Sequence, residues 1–145
     1  MIKSQLQKHI LQGDFEQASQ LVTGTSMFEL EGILLEIAYD SESVSVYNFL
    51  CHLIEKHETG ALHSIASTLM SNPLCFISGA YAKGFYHAKR AIELEPEDVT
   101  LKELILFYSL LPDQLVTKDE ANEYAKQILL TAPKNKTALD FLNNK

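Results

Sequence analysis

The sequence predicts an all-α protein, a single domain of antiparallel helical hairpins stacked side by side, and three observations carry that expectation. Two stretches thirty-seven residues apart repeat one pattern, Gly84-x-x-His87-Ala88-x-x-Ala91-Ile92-x-x-x-Pro96 and Ala121-x-x-Tyr124-Ala125-x-x-Ile128-Leu129-x-x-x-Pro133. Small residues three and four apart share a helix face and admit a neighbouring helix closely, and the proline beyond the last apolar pair stops the helix. Elsewhere apolar residues recur at three- and four-residue spacing, and the gaps between such runs hold glycine, proline or a residue fit to cap a helix. A closed helical bundle is the alternative arrangement of the same elements.

Ile2, Leu6 and Ile10 define a first helix over about 2–11. Gly13 then breaks the chain, and Asp14 caps a short second helix through Ala18, Leu21 and Val22. After Thr23-Gly24-Thr25, the segment Ser26-Met27-Phe28-Glu29 is a capping box opening a third helix with Phe28, Leu30, Leu34, Leu35 and Ile37 apolar. Asp40-Ser41-Glu42-Ser43 separates it from a fourth helix, whose stripe of Val44, Tyr47, Leu50, Cys51 and Ile54 ends near His57. Val44 and Val46 alternate with serine as a short strand would, but the stripe continues for three turns and favours helix. Thr59-Gly60 precedes a fifth helix, Ala61 to Met70, and Ser71-Asn72-Pro73 turns the chain into a sixth, from about Ser78 to Leu94, which holds the first copy of the repeat.

A seventh helix spans Thr100 to Leu110 with Leu101, Leu104, Ile105 and Tyr108 apolar, and Leu111 to Val116 reads as an extended loop. Thr117 or Asp119 caps an eighth helix to Thr131, the second copy, and Thr137, Ala138, Phe141 and Leu142 make a last short helix. The hairpins are then 2–22, 26–57, 61–94 and 100–131 with a cap at 137–142, all within one domain of 1–145. Their short connections make consecutive helices antiparallel neighbours.

These residues resemble the tetratricopeptide repeat family. The stretches Gly84 to Pro96 and Ala121 to Pro133 match the order of small residue, aromatic, alanine and terminal proline in that family's second helix, and Ala91-Ile92-Glu93-Leu94-Glu95-Pro96 is close to its usual ending. Gln12-Gly13-Asp14-Phe15-x-x-Ala18 looks like the family's inter-helix turn, a third, degenerate copy. The stretches around Ser64 to Met70 and Leu101 to Tyr108 lack the large aromatic and glycine of the family's first helix. The resemblance is clearest over 60–145, and it implies a right-handed stack with a concave face that binds a protein or peptide.

Composition narrows the function classes. With 145 residues, 46% of them hydrophobic and 21% charged, the chain has material for its own core, and disorder is expected only from Asn143 to Lys145. Met1 to Leu6 lacks the apolar core of a signal peptide, and no run is long enough to span a bilayer, so the expectation is a soluble cytoplasmic protein. Cys51 and Cys75 have no paired spacing and read as buried apolar fillers, while His9, His52, His57, His63 and His87 are scattered, so neither metal nor cofactor is expected.

The net charge of −7 is unevenly spread: from His9 to Glu55 there are eight carboxylates and not one lysine or arginine. Such a field repels nucleic-acid phosphates and anionic lipid and draws in a basic protein. The plain reading is that these carboxylates solvate helix faces. The sharper one sets Glu29, Glu36, Asp40 and Glu42 around a site for a cationic partner, with Tyr81 and Tyr108 as aromatic contacts.

No nucleophile elbow, phosphate loop or paired-histidine helix motif is present, and the pairs Glu55/Glu58 and Glu93/Glu97 have helix-surface spacing, so no enzyme is expected. The expected function is a non-enzymatic protein-interaction module: an acidic neutraliser of a basic bacterial toxin, of the immunity-protein type, or an adaptor or chaperone for a secreted or regulatory protein. A reading from another class is a small helical enzyme or ligand-binding domain with its site among Tyr81, Tyr86, His87 and Tyr108. Packing in a core also explains that aromatic cluster, which includes Phe85. Monomer and homodimer both fit the sequence.

Overall fold

Side-chain caps set the frame of the chain. Asp14, Ser26, Thr59, Asp98 and Thr117 each accept a backbone amide at the head of a helix, with Asp98 taking two, from Thr100 at 2.9 Å and Leu101 at 3.3 Å. In this computed structural model, which describes residues 2–112 and 115–143, the caps and breaks delimit nine helices and no strand among the described residues. They are α1 (Ile2–Leu11), α2 (Phe15–Leu21), α3 (Met27–Ser41), α4 (Ser45–Lys56), α5 (Gly60–Ser71), α6 (Ala80–Leu94), α7 (Val99–Ser109), α8 (Lys118–Thr131) and α9 (Lys136–Asn143).

The all-α expectation holds, and the differences are local. As expected, the stripe from Val44 forms helix and not strand, with α4 starting at Ser45 and Val44 just before it. Ser26 accepts from the Glu29 amide at 3.1 Å, but its hydroxyl faces the Glu29 carboxylate at 3.4 Å, a variant of the expected capping box. The sixth helix starts at Ala80, not Ser78, because Gly79 takes the left-handed conformation (φ 78°) that ends the turns after Pro73. Of the loop expected at Leu111 to Val116, Asp113 and Gln114 lie outside the described residues. Asn143 closes α9 and is not part of a disordered tail, whereas 144–145 lie outside the described residues.

From α3 onward each helix packs against the next; α1 also touches α2, α3 and α4, and the pairs α3–α5 and α7–α9 are in contact. Apolar side chains fall into three sectors. The largest runs from Leu6 and Ile10 through Leu34, Ile37, Phe49 and Leu50 to Leu69, Met70 and Leu74, and the smaller ones gather Ala88, Ala91, Ile105 and Tyr108, then Ala121, Ala125, Ile128 and Ala138. Each fully buried leucine, isoleucine or phenylalanine contributes about 1.5–3 kcal/mol of transfer free energy. Between the first two lies the tight contact of α5 on α6, where the small face of the first repeat copy, Gly84, Ala88 and Ala91, is buried.

Candidate functional site

A polar seam runs through that contact. His63, Ser67 and Ser71 stand four residues apart, on one face of α5, and all three are buried. Buried polar groups need partners, and across the seam they find them. The Tyr108 hydroxyl lies 2.8 Å from Ser67 Oγ and 3.3 Å from the Ser67 carbonyl oxygen, directly beneath Gly84. His63 and His87, 2% and 4% exposed, meet Nδ1 to Nδ1 at 2.8 Å.

The histidine contact belongs to a chain of bonds. His63 Nε2 sits 2.7 Å from Glu58 Oε2, and Arg90 grips the same carboxylate with two N–H donors, at 2.8 and 2.9 Å, while also reaching Glu93 at 3.1 Å. At the other end His87 Nε2 lies 2.7 Å from the Tyr47 hydroxyl, and the Tyr86 ring stacks edge-on against both imidazoles. Arg90 first, then His63, holds the Glu58 carboxyl down at about 2, whereas burial, and next the neighbouring His63, pushes His87 down to about 4. Burial likewise raises Tyr47 and Cys51, which neighbour each other on α4.

These facts assign the hydrogens. An ionised Glu58 only accepts, so His63 carries a hydrogen on Nε2, and in the neutral ring this leaves Nδ1 bare. His87 then donates from Nδ1 and keeps Nε2 free for the Tyr47 O–H. Every N–H and O–H in the row therefore points toward Glu58.

Two clefts open elsewhere. One, of about 450 Å³, is lined by Met27, Phe28 and Glu31 of α3, by Gly60, Ala61, Ser64 and Ile65 of α5, by Glu95, and by Asp98, Thr100 and Leu101 at the head of α7. Met27, Phe28, Ile65 and Leu101 give it an apolar part, its three charged groups are all carboxylates, and Phe28 is 87% exposed. Gly60 seats Glu95 there, since a Cβ at that position would lie 2.6 Å from Glu95 Cγ. Among the described residues neither Glu31 nor Glu95 has an ion-pair partner. A second cleft of about 800 Å³ lies between α7, the head of α8 and α9, with Leu106, Phe107, Leu110 and Phe141 in its walls.

The residues singled out from sequence are distributed differently from expectation. Glu29, Glu36, Asp40 and Glu42 do not line the acidic cleft. Lys3 of α1 takes Asp40 at 2.6 Å and Glu36 at 3.6 Å, Glu29 belongs to the cap of α3, and Glu42 ends that helix in the left-handed region. Tyr108 is corrected as a partner contact: it is fully buried, so it offers no surface. Tyr81 is half-buried against the core sector around Tyr108.

Neither cleft is lined by Tyr81, Tyr86, His87 or Tyr108; Tyr86 is 60% exposed and His87 is enclosed. Cys51 and Cys75 are half-buried instead of fully buried. Among the described residues no helix is long and apolar enough to cross a membrane, and no cluster of three metal-ligating side chains occurs.

Against family models, curated proteins and solved structures, the chain matches none. Its site is therefore read from its own geometry.

Sequence reasoning missed Glu31, Glu95 and Asp98 because they come from three separate elements and share no spacing. It missed the His63–His87 contact for the same reason, although the four-residue spacing of His63, Ser67 and Ser71 within an otherwise apolar helix was a visible sign of a buried polar face.

Proposed function

We propose that this chain is a non-enzymatic protein-interaction module that receives a basic partner in the cleft between α3, α5 and α7. The observation that carries the reading is the composition of that cleft: apolar side chains, an exposed aromatic and three carboxylates with no lysine or arginine among the lining residues. An apolar anchor ringed by one sign of charge binds a complementary segment through burial and steers it through the field. The finer architecture we read as a short right-handed stack of hairpins of tetratricopeptide-repeat type. Supporting it are the serial packing of α3 to α9 and the additional contacts of α1 on α3, α3 on α5 and α7 on α9.

Within this class we favour neutralisation of a basic effector, as an immunity protein does for a toxin. It rests on the net charge of −7 and on the unpaired Glu31 and Glu95. An adaptor for a secreted or regulatory protein is the second reading, favoured by the separate apolar cleft beside α9, which gives room for another contact.

Selection from a random displayed-peptide library tests the cleft. Peptides that set arginine or lysine beside an apolar residue are expected to be enriched, and their binding should weaken about tenfold or more between low and high salt, as solvent-exposed charge pairs are screened. The pair Glu31→Lys with Glu95→Lys should abolish it while leaving the helical content intact. Enrichment of uncharged or acidic peptides, indifferent to salt, would remove the reading. A single cationic partner recovered stoichiometrically from the native host separates neutraliser from adaptor, for which several clients are expected.

A further inference from the structure

We infer that the His63–His87 contact is a proton-sensitive latch between α5 and α6, closed while one of the facing Nδ1 atoms is bare and driven open when both carry hydrogen. At 2.8 Å the two nitrogens need one donor and one acceptor. The neutral pair meets that need with His87 donating.

One added proton is also tolerated. With His63 Nδ1–H donating to His87, the hydrogen of His87 moves to Nε2 and donates to the Tyr47 oxygen. One proton has entered, none has left, and each contact keeps one donor and one acceptor. A second proton, on His87, puts hydrogen against hydrogen and charge against charge inside the seam.

The surroundings give that second charge no relief. From α4 the groups facing the pair are the Tyr47 hydroxyl and Cys51, the latter near Glu55; from α6 they are Lys83 over the Tyr47 ring, Tyr86, Arg90 and Glu93; from the linker before α5 there is Glu58. Glu58 is the carboxylate in contact with the pair, and both its oxygens are already engaged by Arg90. Separation of α5 from α6 is the remaining escape. Because Gly60, Ala61, Ser64 and Ile65 of α5 form one wall of the acidic cleft, opening the latch also loosens that wall.

The sign follows from linkage: His87 has a folded value of about 4 against an ordinary 6.5, so the unfolded chain binds the proton more readily and stability is lost as the pH falls from 6.5 toward 4. Denaturant unfolding of the wild type and of His87→Asn, whose amide keeps a donor near Nδ1 but does not titrate, measures it. Between pH 7.5 and pH 4.5 the wild-type unfolding constant should rise roughly 70-fold more than that of the variant, and equal slopes would overturn the latch.

Long-range ¹H–¹⁵N spectra of the wild type decide the matter without any variant. At neutral pH His63 should carry hydrogen on Nε2 and His87 on Nδ1, with His87 still neutral at pH 5.5. Hydrogen on both facing Nδ1 atoms at that pH, with helices and tertiary shifts unchanged, would refute the proposal.

Discussion

Gly84→Val is expected to destabilise the fold by about 3 kcal/mol, lowering the melting temperature by about 10 °C. A Cβ at Gly84 would overlap the Tyr108 hydroxyl and would come within 3.2 Å of Tyr108 Cζ and 3.3 Å of the Ser67 carbonyl oxygen. None of these atoms yields readily. Tyr108 is fully buried and tied to Ser67 by two hydrogen bonds, and the carbonyl belongs to the backbone of α5. Valine adds three heavy atoms where even one does not fit.

Gly84→Ala tests the cause more finely. Alanine favours a helix interior by about 1 kcal/mol over glycine, so a net loss of stability would come from the close approach alone. In a Tyr108→Phe background the hydroxyl is gone, and the alanine penalty should shrink by about 1 kcal/mol or more in a double-mutant cycle. An alanine penalty of the same size in both backgrounds would mean that contact with Tyr108 is not what demands glycine.

Phe28→Ala is the second large effect expected, and it concerns binding. Phe28 is 87% exposed, so its removal should leave the melting temperature within about 2 °C of wild type. In the acidic cleft, however, it is the most exposed of the large apolar groups and so is placed to anchor an incoming segment. Truncating an aromatic that anchors a bound segment costs about 2 kcal/mol or more of binding, a weakening of about thirtyfold. Isothermal titration of a library-selected basic peptide against wild type and variant measures it. A peptide bound equally by both would shift the docking surface away from this cleft.

Element by element, the helices were legible because their signals are local. Asp14, Ser26 and Thr117 cap the helices they precede, Pro73 marks the turn between α5 and α6, and the proline after each copy of the repeat follows a helix that has already ended at Leu94 or Thr131. Such features act over four or five residues, which is the reach of a capping bond or a forbidden backbone angle. The burial of Gly84, Ala88 and Ala91, and of Ala121, Ala125 and Ile128, follows from the same short-range periodicity.

The acidic cleft was not legible in this way. The uneven charge of the chain pointed to Glu29, Glu36, Asp40 and Glu42, yet Lys3 neutralises two of these from a helix that sequence distance places far away. Glu31 and Glu95, which have no ion-pair partner among the described residues, meet only because α3, α5 and the segment after α6 converge. Tyr108 shows the same limit. The apolar stripe of α7 groups it with Leu101 and Ile105, but the seating of its hydroxyl against Ser67 beneath Gly84 is decided by packing.

By itself, then, the order of residues determined the class of the fold, the ends of its helices and the sign of its charge, since those depend on neighbours along the chain and on a simple sum. Tertiary structure decided which carboxylates stay unpaired, that two histidines share a hydrogen bond, and which aromatic faces solvent. Those outcomes rest on contacts between helices whose residues have no fixed separation in sequence, and a change of a few ångströms in packing would reassign every one of them.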